Sequence, residues 1–189
     1  MKRVKDFKVT NTQWLNSTSY LLTLQSNCEI EKIEPGNFAE LEVPNSSDVF
    51  LRRPISIYDV DYSNNTISYY IKAIGKGTKK LGGLDNGSIV STIYPLGNSF
   101  GELKSGKALI VGGGSGIAPF KLLAEKLILS NIEVSFLFGA RTKEDIVLIG
   151  EFSKLGDVFI TTEDGSLGEK GLVTQHSVFN HYNKISQSR

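Results

Sequence analysis

The sequence predicts two successive folds: an antiparallel β-barrel over residues 1–100 and a parallel α/β domain over residues 101–189. Three observations carry this. Six short β-type segments separated by turn residues fill the chain up to Tyr94. After Gly101 the pattern changes to an apolar run, a glycine-rich loop and a helical stretch, the order of a βαβ unit. No internal repeat or low-complexity stretch competes with that division.

The six barrel segments are residues 4–10, 20–24, 37–43, 53–59, 66–74 and 88–94. Tyr20-Leu21-Leu22-Thr23-Leu24 and Phe38-Ala39-Glu40-Leu41-Glu42-Val43 alternate in a way that suits strands buried on one face. Turn chemistry separates them at Pro35-Gly36-Asn37, Asn45-Ser46-Ser47 and Ser63-Asn64-Asn65. In the second half, Ala108-Leu109-Ile110-Val111, then residues 134–138 and 158–161, read as parallel strands. A helix is expected from Pro119 to about Ser130, because proline suits the first helical turn.

Composition limits the function. With 21 basic and 20 acidic residues the formal charge is +1, without blocks of like charge, so the footprint of a dedicated nucleic-acid binder is absent. Cys28 is the only cysteine, which excludes an intrachain disulfide or a thiolate metal site built from this chain alone. No apolar run reaches membrane-spanning length, so a cytoplasmic protein without a membrane or nucleic-acid partner is expected.

Three segments could carry chemistry. Gly112-Gly113-Gly114-Ser115-Gly116 follows a strand and opens a helix, bringing backbone N–H groups to one point. It reads equally as a pyrophosphate cradle and as a tight strand-to-helix turn, since Ile117 stands where the dinucleotide fingerprint takes Gly or Ala. Arg52-Arg53-Pro54-Ile55-Ser56-Ile57 places two guanidinium groups before a strand, with Pro54 at its start or at a sheet edge. It fits bidentate phosphate binding or a basic edge that deters pairing. In Gly75-Lys76-Gly77-Thr78-Lys79-Lys80-Leu81, Thr78 is expected to N-cap a short helix running to about Leu84, either as a second anion cradle or as a capped turn.

The remaining reactive residues are read more plainly. His176 and His181, without nearby carboxylates in the sequence, are expected to be solvated. Cys28 is expected to be a small, buried or half-buried thiol with no basic neighbour. Asp145, Glu151 and Asp164 are not brought together by spacing, and no catalytic acid or base is assigned.

In this order the motifs resemble the electron-transfer subunits of two-subunit, NAD-dependent (class 1B) dihydroorotate dehydrogenases, within the ferredoxin-reductase-like flavoprotein superfamily. The matching stretches are Leu51-Arg52-Arg53-Pro54-Ile55-Ser56-Ile57, Gly75-Lys76-Gly77-Thr78, Pro95-Leu96-Gly97-Asn98, Val111 to Pro119, Phe138-Gly139-Ala140-Arg141 and Thr162 to Gly168. The resemblance implies an FAD-binding barrel and a nicotinamide-binding α/β domain. It implies Arg53 on the flavin pyrophosphate, Pro54, Ile55 and Ser56 along the flavin with Ser56 near N5, and contacts from Tyr70, Ile71 and Lys72. Gly77 and Thr78 would form a second pyrophosphate clamp, and Gly113, Gly114 and Gly116 would admit the nicotinamide end. Tyr94 and Ser99 replace glycines of the usual pattern and are expected to narrow the flavin pocket.

The implied function is electron transfer between NAD(H) and a catalytic dihydroorotate dehydrogenase subunit in pyrimidine synthesis, in an oxidoreductase subunit that needs its partner. The alternatives are the flavin subunit of a related NAD(P)H reductase or sulfhydrogenase, and a flavin-binding module without NADH activity. Relatives continue with a further strand, a Cys-Gly-Pro motif and four cysteines holding a [2Fe–2S] cluster. None of these occurs before Arg189, so a fragment or a shortened form with an incomplete α/β domain and weak nicotinamide binding is expected.

Overall fold

A computed structural model describes residues 3–180. Its first six strands are β1 (Arg3–Trp14), β2 (Ser19–Gln25), β3 (Phe38–Leu41), β4 (Arg53–Asp61), β5 (Thr66–Lys72) and β6 (Ile89–Leu96). They close into an antiparallel barrel of order β1-β2-β5-β4-β3-β6. All six segments read from the sequence are present, with ends displaced by a few residues.

Alternation builds the barrel core. Phe7 and Val9 from β1, Tyr20, Leu22 and Leu24 from β2, and Ile67, Tyr69 and Ile71 from β5 all point inward and are buried. The register that sets Phe7 opposite Val90 and Ile57 opposite Tyr69 keeps these residues on one face, since a slip of one position would expose them. Each fully buried aliphatic or aromatic side chain contributes about 1.5–3 kcal/mol. A short helix, α1 (Lys76–Gly82), follows β5 and sends Leu81 into the same core. The Tyr20 hydroxyl donates to the Thr78 carbonyl, and a Cβ on Gly82 would lie 2.8 Å from the Tyr20 ring, so α1 is seated directly on that ring.

The second half forms a four-stranded sheet of order β10-β9-β8-β7, from β7 (Lys107–Gly113), β8 (Glu133–Ala140), β9 (Asp157–Thr162) and β10 (Glu169–Lys170), each neighbouring pair parallel. Helices α2 (Phe120–Leu129) and α3 (Ile149–Phe152) accompany it. Val134 to Phe138 are buried without interruption, as expected of a central parallel strand covered on both faces. Phe136, Phe138 and Phe152 form an aromatic cluster with centroid separations of 4.8–5.6 Å. The two-residue β10 has no counterpart in the sequence reading, because two residues carry no periodicity.

The chain divides into two compact units, one taking residues up to Phe100 with Ala118–Leu123, the other Gly101–Ile117 and the residues from Ala124 onward. No helix among the described residues is long and apolar enough to cross a membrane.

Candidate functional site

The two arginines of the Arg52-Arg53 pair have separate tasks. Arg52 is tied into the barrel: its guanidinium lies 3.0 Å from the Glu42 carboxylate and donates to the Ser91 hydroxyl and carbonyl. Arg53 begins β4 opposite Leu41 and turns toward α1. Its stem passes so close to Gly77 that a Cβ there would lie 2.8 Å from Arg53 Cδ and 3.3 Å from Val49 Cγ1. Glycine at 77 therefore lets this arginine lie across the first turn of the helix. Its Nε and Nη2 donate to the Leu51 carbonyl at 3.2 and 2.9 Å.

Thr78 does not N-cap α1. Gly75 holds that position and Thr78 is the third helical residue, its Oγ1 accepting from the Gly75 N–H at 3.2 Å and donating to the Gly75 carbonyl at 3.1 Å. The helix starts earlier than expected because the glycine backbone can cap it without a side chain, and it ends at Gly82 rather than Leu84. The first N–H groups of α1 have no acceptor four residues back, so donors and the Arg53 guanidinium lie at the same end of the helix.

The loop before Arg53 is pinned to α1 by Asp48, which pairs with Lys80 and lies 3.8 Å from Lys76 Nζ. Hydrogen bonds from Lys80 and then Ser46 hold the Asp48 carboxyl down to about 2. Sequence reasoning missed Asp48 and Val49. The Asp48–Lys80 pair spans 32 positions, and no local spacing rule signals it.

Pro54 and Ser56 alternate with Ile55 and Ile57, and it is Ile57 that enters the barrel core, with Ile55 packed against it. The first residues of β4 pair with β3, while the pairing with β5 begins at Ile57. Pro54 therefore sits at a strand start with a partner on one side, where its missing N–H costs no ladder bond. On β5, Ile71 turns into the core, leaving only its main chain for a ligand, whereas Lys72 is half-buried. Tyr70 is buried outside that core, with its hydroxyl 3.5 Å from Ser19 Oγ.

Three other expectations change. Tyr94 is fully buried in the barrel, edge-on to Phe7 at 5.1 Å, and its hydroxyl accepts from the Glu31 N–H, so it does not narrow a pocket outside the barrel. Cys28 is exposed, and the Ser26 hydroxyl and then the Lys5 ammonium lower its thiol below the ordinary value; Lys5 arrives from β1, far away in sequence. His176 is only 7% exposed: its Nδ1 accepts the Val178 N–H at 3.0 Å, and Nε2 lies 3.5 Å from Glu169. The nearby carboxylate comes from β10, the strand the sequence did not reveal. His181 lies outside the described residues.

In the sheet unit, a Cβ on Gly113 would lie 2.7 Å from the Gly139 carbonyl oxygen, so this glycine serves strand packing. Gly114, at φ +55°, and Gly116 face open space instead. The loop thus combines both readings offered by the sequence. Its turn between β7 and α2 passes through a 3-10 segment, Gly114–Ile117, before α2 begins at Phe120. A cavity of about 1000 Å³, lined by Val158, Ile160, Leu167, Glu169 and His176 among others, does not include this loop.

These features meet the needs of an FAD pyrophosphate on the barrel unit: a guanidinium, helix-end donors and a position that a Cβ would fill. Gly114 and Gly116 leave room for a dinucleotide backbone. The residues do not fit an iron–sulfur cluster, since the chain has one cysteine and no group of three or more His, Cys, Asp or Glu side chains able to hold a metal occurs among the described residues.

Residues 110–187 match the family model of the oxidoreductase NAD-binding domain. The chain is 35% identical over 185 residues to the dihydroorotate dehydrogenase B (NAD(+)) electron transfer subunit of Bacillus cereus strain Q1, covering 96% of this chain and 71% of that protein. The same figures hold for the corresponding subunit of Bacillus anthracis strain CDC 684. Among solved structures, it resembles an NADH-dependent reduced ferredoxin–NADP oxidoreductase described for flavin-based electron bifurcation, with a TM-score of 0.82 at 24% identity over 95% of this chain. It also resembles the Amycolatopsis cytochrome P450 reductase, with a TM-score of 0.81 at 20% identity over 96%. It spans 64% and 58% of those two chains, less than two thirds of their length. At these identities the structures share the fold.

Proposed function

The chain belongs to the family of dihydroorotate dehydrogenase B electron transfer subunits, and on that premise we propose that it binds FAD on the barrel unit and passes electrons between NAD(H) and a catalytic dihydroorotate dehydrogenase subunit in pyrimidine synthesis. The observation that carries the reading is the Arg53 stem laid across Gly77 at the first turn of α1. It brings a permanent cation and backbone donors to one point, the combination that binds a pyrophosphate.

FAD, when bound, supplies the conversion between two-electron hydride transfer and one-electron release. The chain's own residues bind and orient. Arg53 offsets the pyrophosphate charge, while Gly77 and Thr78 present the helix end to it. Pro54, Ile55 and Ser56, with Tyr70, Ile71 and Lys72 on the adjoining strand, line the flavin, and the Ser56 hydroxyl can donate to a ring nitrogen. In the sheet unit Gly113 holds the loop against β8, and Gly114 and Gly116 admit the nicotinamide dinucleotide. A cytoplasmic location fits a subunit that works with a pyrimidine-synthesis enzyme.

Titration of the flavin-free chain with FAD, followed by absorbance, tests the reading. One FAD per chain is expected, and Arg53→Ala should weaken binding by about 1.5–3 kcal/mol, the scale of a charge-assisted hydrogen bond. Unchanged affinity in a folded Arg53→Ala protein removes Arg53 from the site. Rapid mixing of the loaded protein with NADH, and co-purification with the catalytic subunit, test the two electron-transfer ends.

A further inference from the structure

We propose that Phe50 is the stacking platform for the adenine ring of FAD, so that residues 48–53 read the nucleotide half of the cofactor while β4 and β5 hold the flavin half. The inference rests on the FAD reading above and goes beyond it, because Phe50 belongs to none of the motifs that support that reading.

The segment around Phe50 is fastened on both sides. On one side Asp48 pairs with Lys80 and approaches Lys76, and Val49 packs against the Gly77 position. On the other side Arg53 packs against the same glycine, and its guanidinium holds the Leu51 carbonyl. Phe50 and Leu51 lie between these anchors and are 90% and 75% exposed. A single exposed apolar side chain is ordinary on a protein surface. Phe50 differs because its backbone is fixed on both flanks at the rim of an anion clamp. Ile74, just before the helix-capping Gly75, is also 75% exposed.

The chemistry of the cofactor selects the occupant. In FAD one ribose separates the pyrophosphate from the adenine, so a nucleotide anchored at Arg53 and α1 carries its base close to that clamp. An aromatic ring held with its face open stacks on a base without needing a hydrogen-bond code. Flavin mononucleotide has neither the second phosphate nor the adenine, so Phe50 would discriminate between the two flavins.

The test titrates the whole 189-residue chain, stripped of flavin, with FAD, FMN and riboflavin, following fluorescence anisotropy for the unmodified protein, Phe50→Ala and Phe50→Trp. Phe50→Ala should raise the Kd for FAD about tenfold, the order expected from losing one base–aromatic stack, and change FMN and riboflavin less than about twofold. Phe50→Trp should bind FAD at least as tightly as the unmodified chain. Because Phe50 is exposed, melting temperatures should stay level, which checks folding. Equal shifts for FAD and FMN, or no shift, would overturn the role of Phe50 while leaving FAD binding intact. Unchanged FAD affinity with weakened binding to the catalytic subunit would assign Phe50 to a protein interface and likewise overturn the proposal. If the unmodified chain binds none of the three flavins, the FAD reading itself fails, and this inference with it.

Discussion

In the barrel every strand has a neighbour on both sides, whereas in the parallel sheet β7 and β10 each pair on one side among the described residues. The two regions also use their residues differently. Inward-facing side chains such as Phe7, Leu22, Ile67 and Tyr69 fill the barrel. The sheet depends on close backbone approaches: a Cβ on Gly156 would overlap the Val134 carbonyl, and one on Gly168, at φ +69°, would overlap that of Ile160. The closed barrel is thus specified by side-chain packing, while the sheet depends on a few glycines.

The largest effect that can sharpen this contrast is a cavity in the barrel. Phe7→Ala removes a fully buried ring stacked edge-on to Tyr94 and should destabilise the barrel unit by about 3–5 kcal/mol in denaturant titration. A loss below about 1 kcal/mol would mean the barrel collapses around the void and is less tightly specified than described. In the sheet the opposite change should do the damage. Gly168→Ala adds one methyl where the left-handed backbone alone costs about 1–2 kcal/mol and the Ile160 carbonyl blocks the space. Hydrogen exchange should quicken in β9 and β10 and stay level in the barrel strands; equal acceleration of both units would dissolve the distinction.

The smallest effect concerns the loop that fastens the site. The folded Asp48 carboxyl lies at about 2, below its ordinary value of 3.8, so its contribution is complete above the ordinary value and is lost as pH falls through the folded one. Melting temperatures should therefore decline slightly less between pH 4 and pH 2 in Asp48→Asn than in the unmodified chain. Parallel curves would show that the pair with Lys80 does not fasten the loop.

The barrel was legible because alternation over strands such as Tyr20 to Leu24 records which face is buried. The glycine loop was legible as a turn, and its two tasks separated only in three dimensions, where Gly113 meets β8 and Gly114 and Gly116 meet open space. What escaped was the partnerships of Lys5 with Cys28 and of Asp48 with Lys80, which join distant stretches of chain, and that of Glu169 with His176, which depends on the two-residue β10. Thr78 escaped for a local reason, since glycine can replace the side-chain cap that its hydroxyl suggested. The candidate site was thus readable as motifs, but the fastening of the loop before Arg53 was not, because charge pairing and a glycine gap on a distant helix fix it.

Hydrogen exchange of the whole chain with and without saturating FAD tests the central claim most directly, because it asks which of the two regions holds the cofactor. The account predicts slower exchange in residues 49–56 and 75–80, with residues 107–116 and 157–170 unchanged. Protection concentrated in residues 112–117, or none anywhere at saturation, would contradict it.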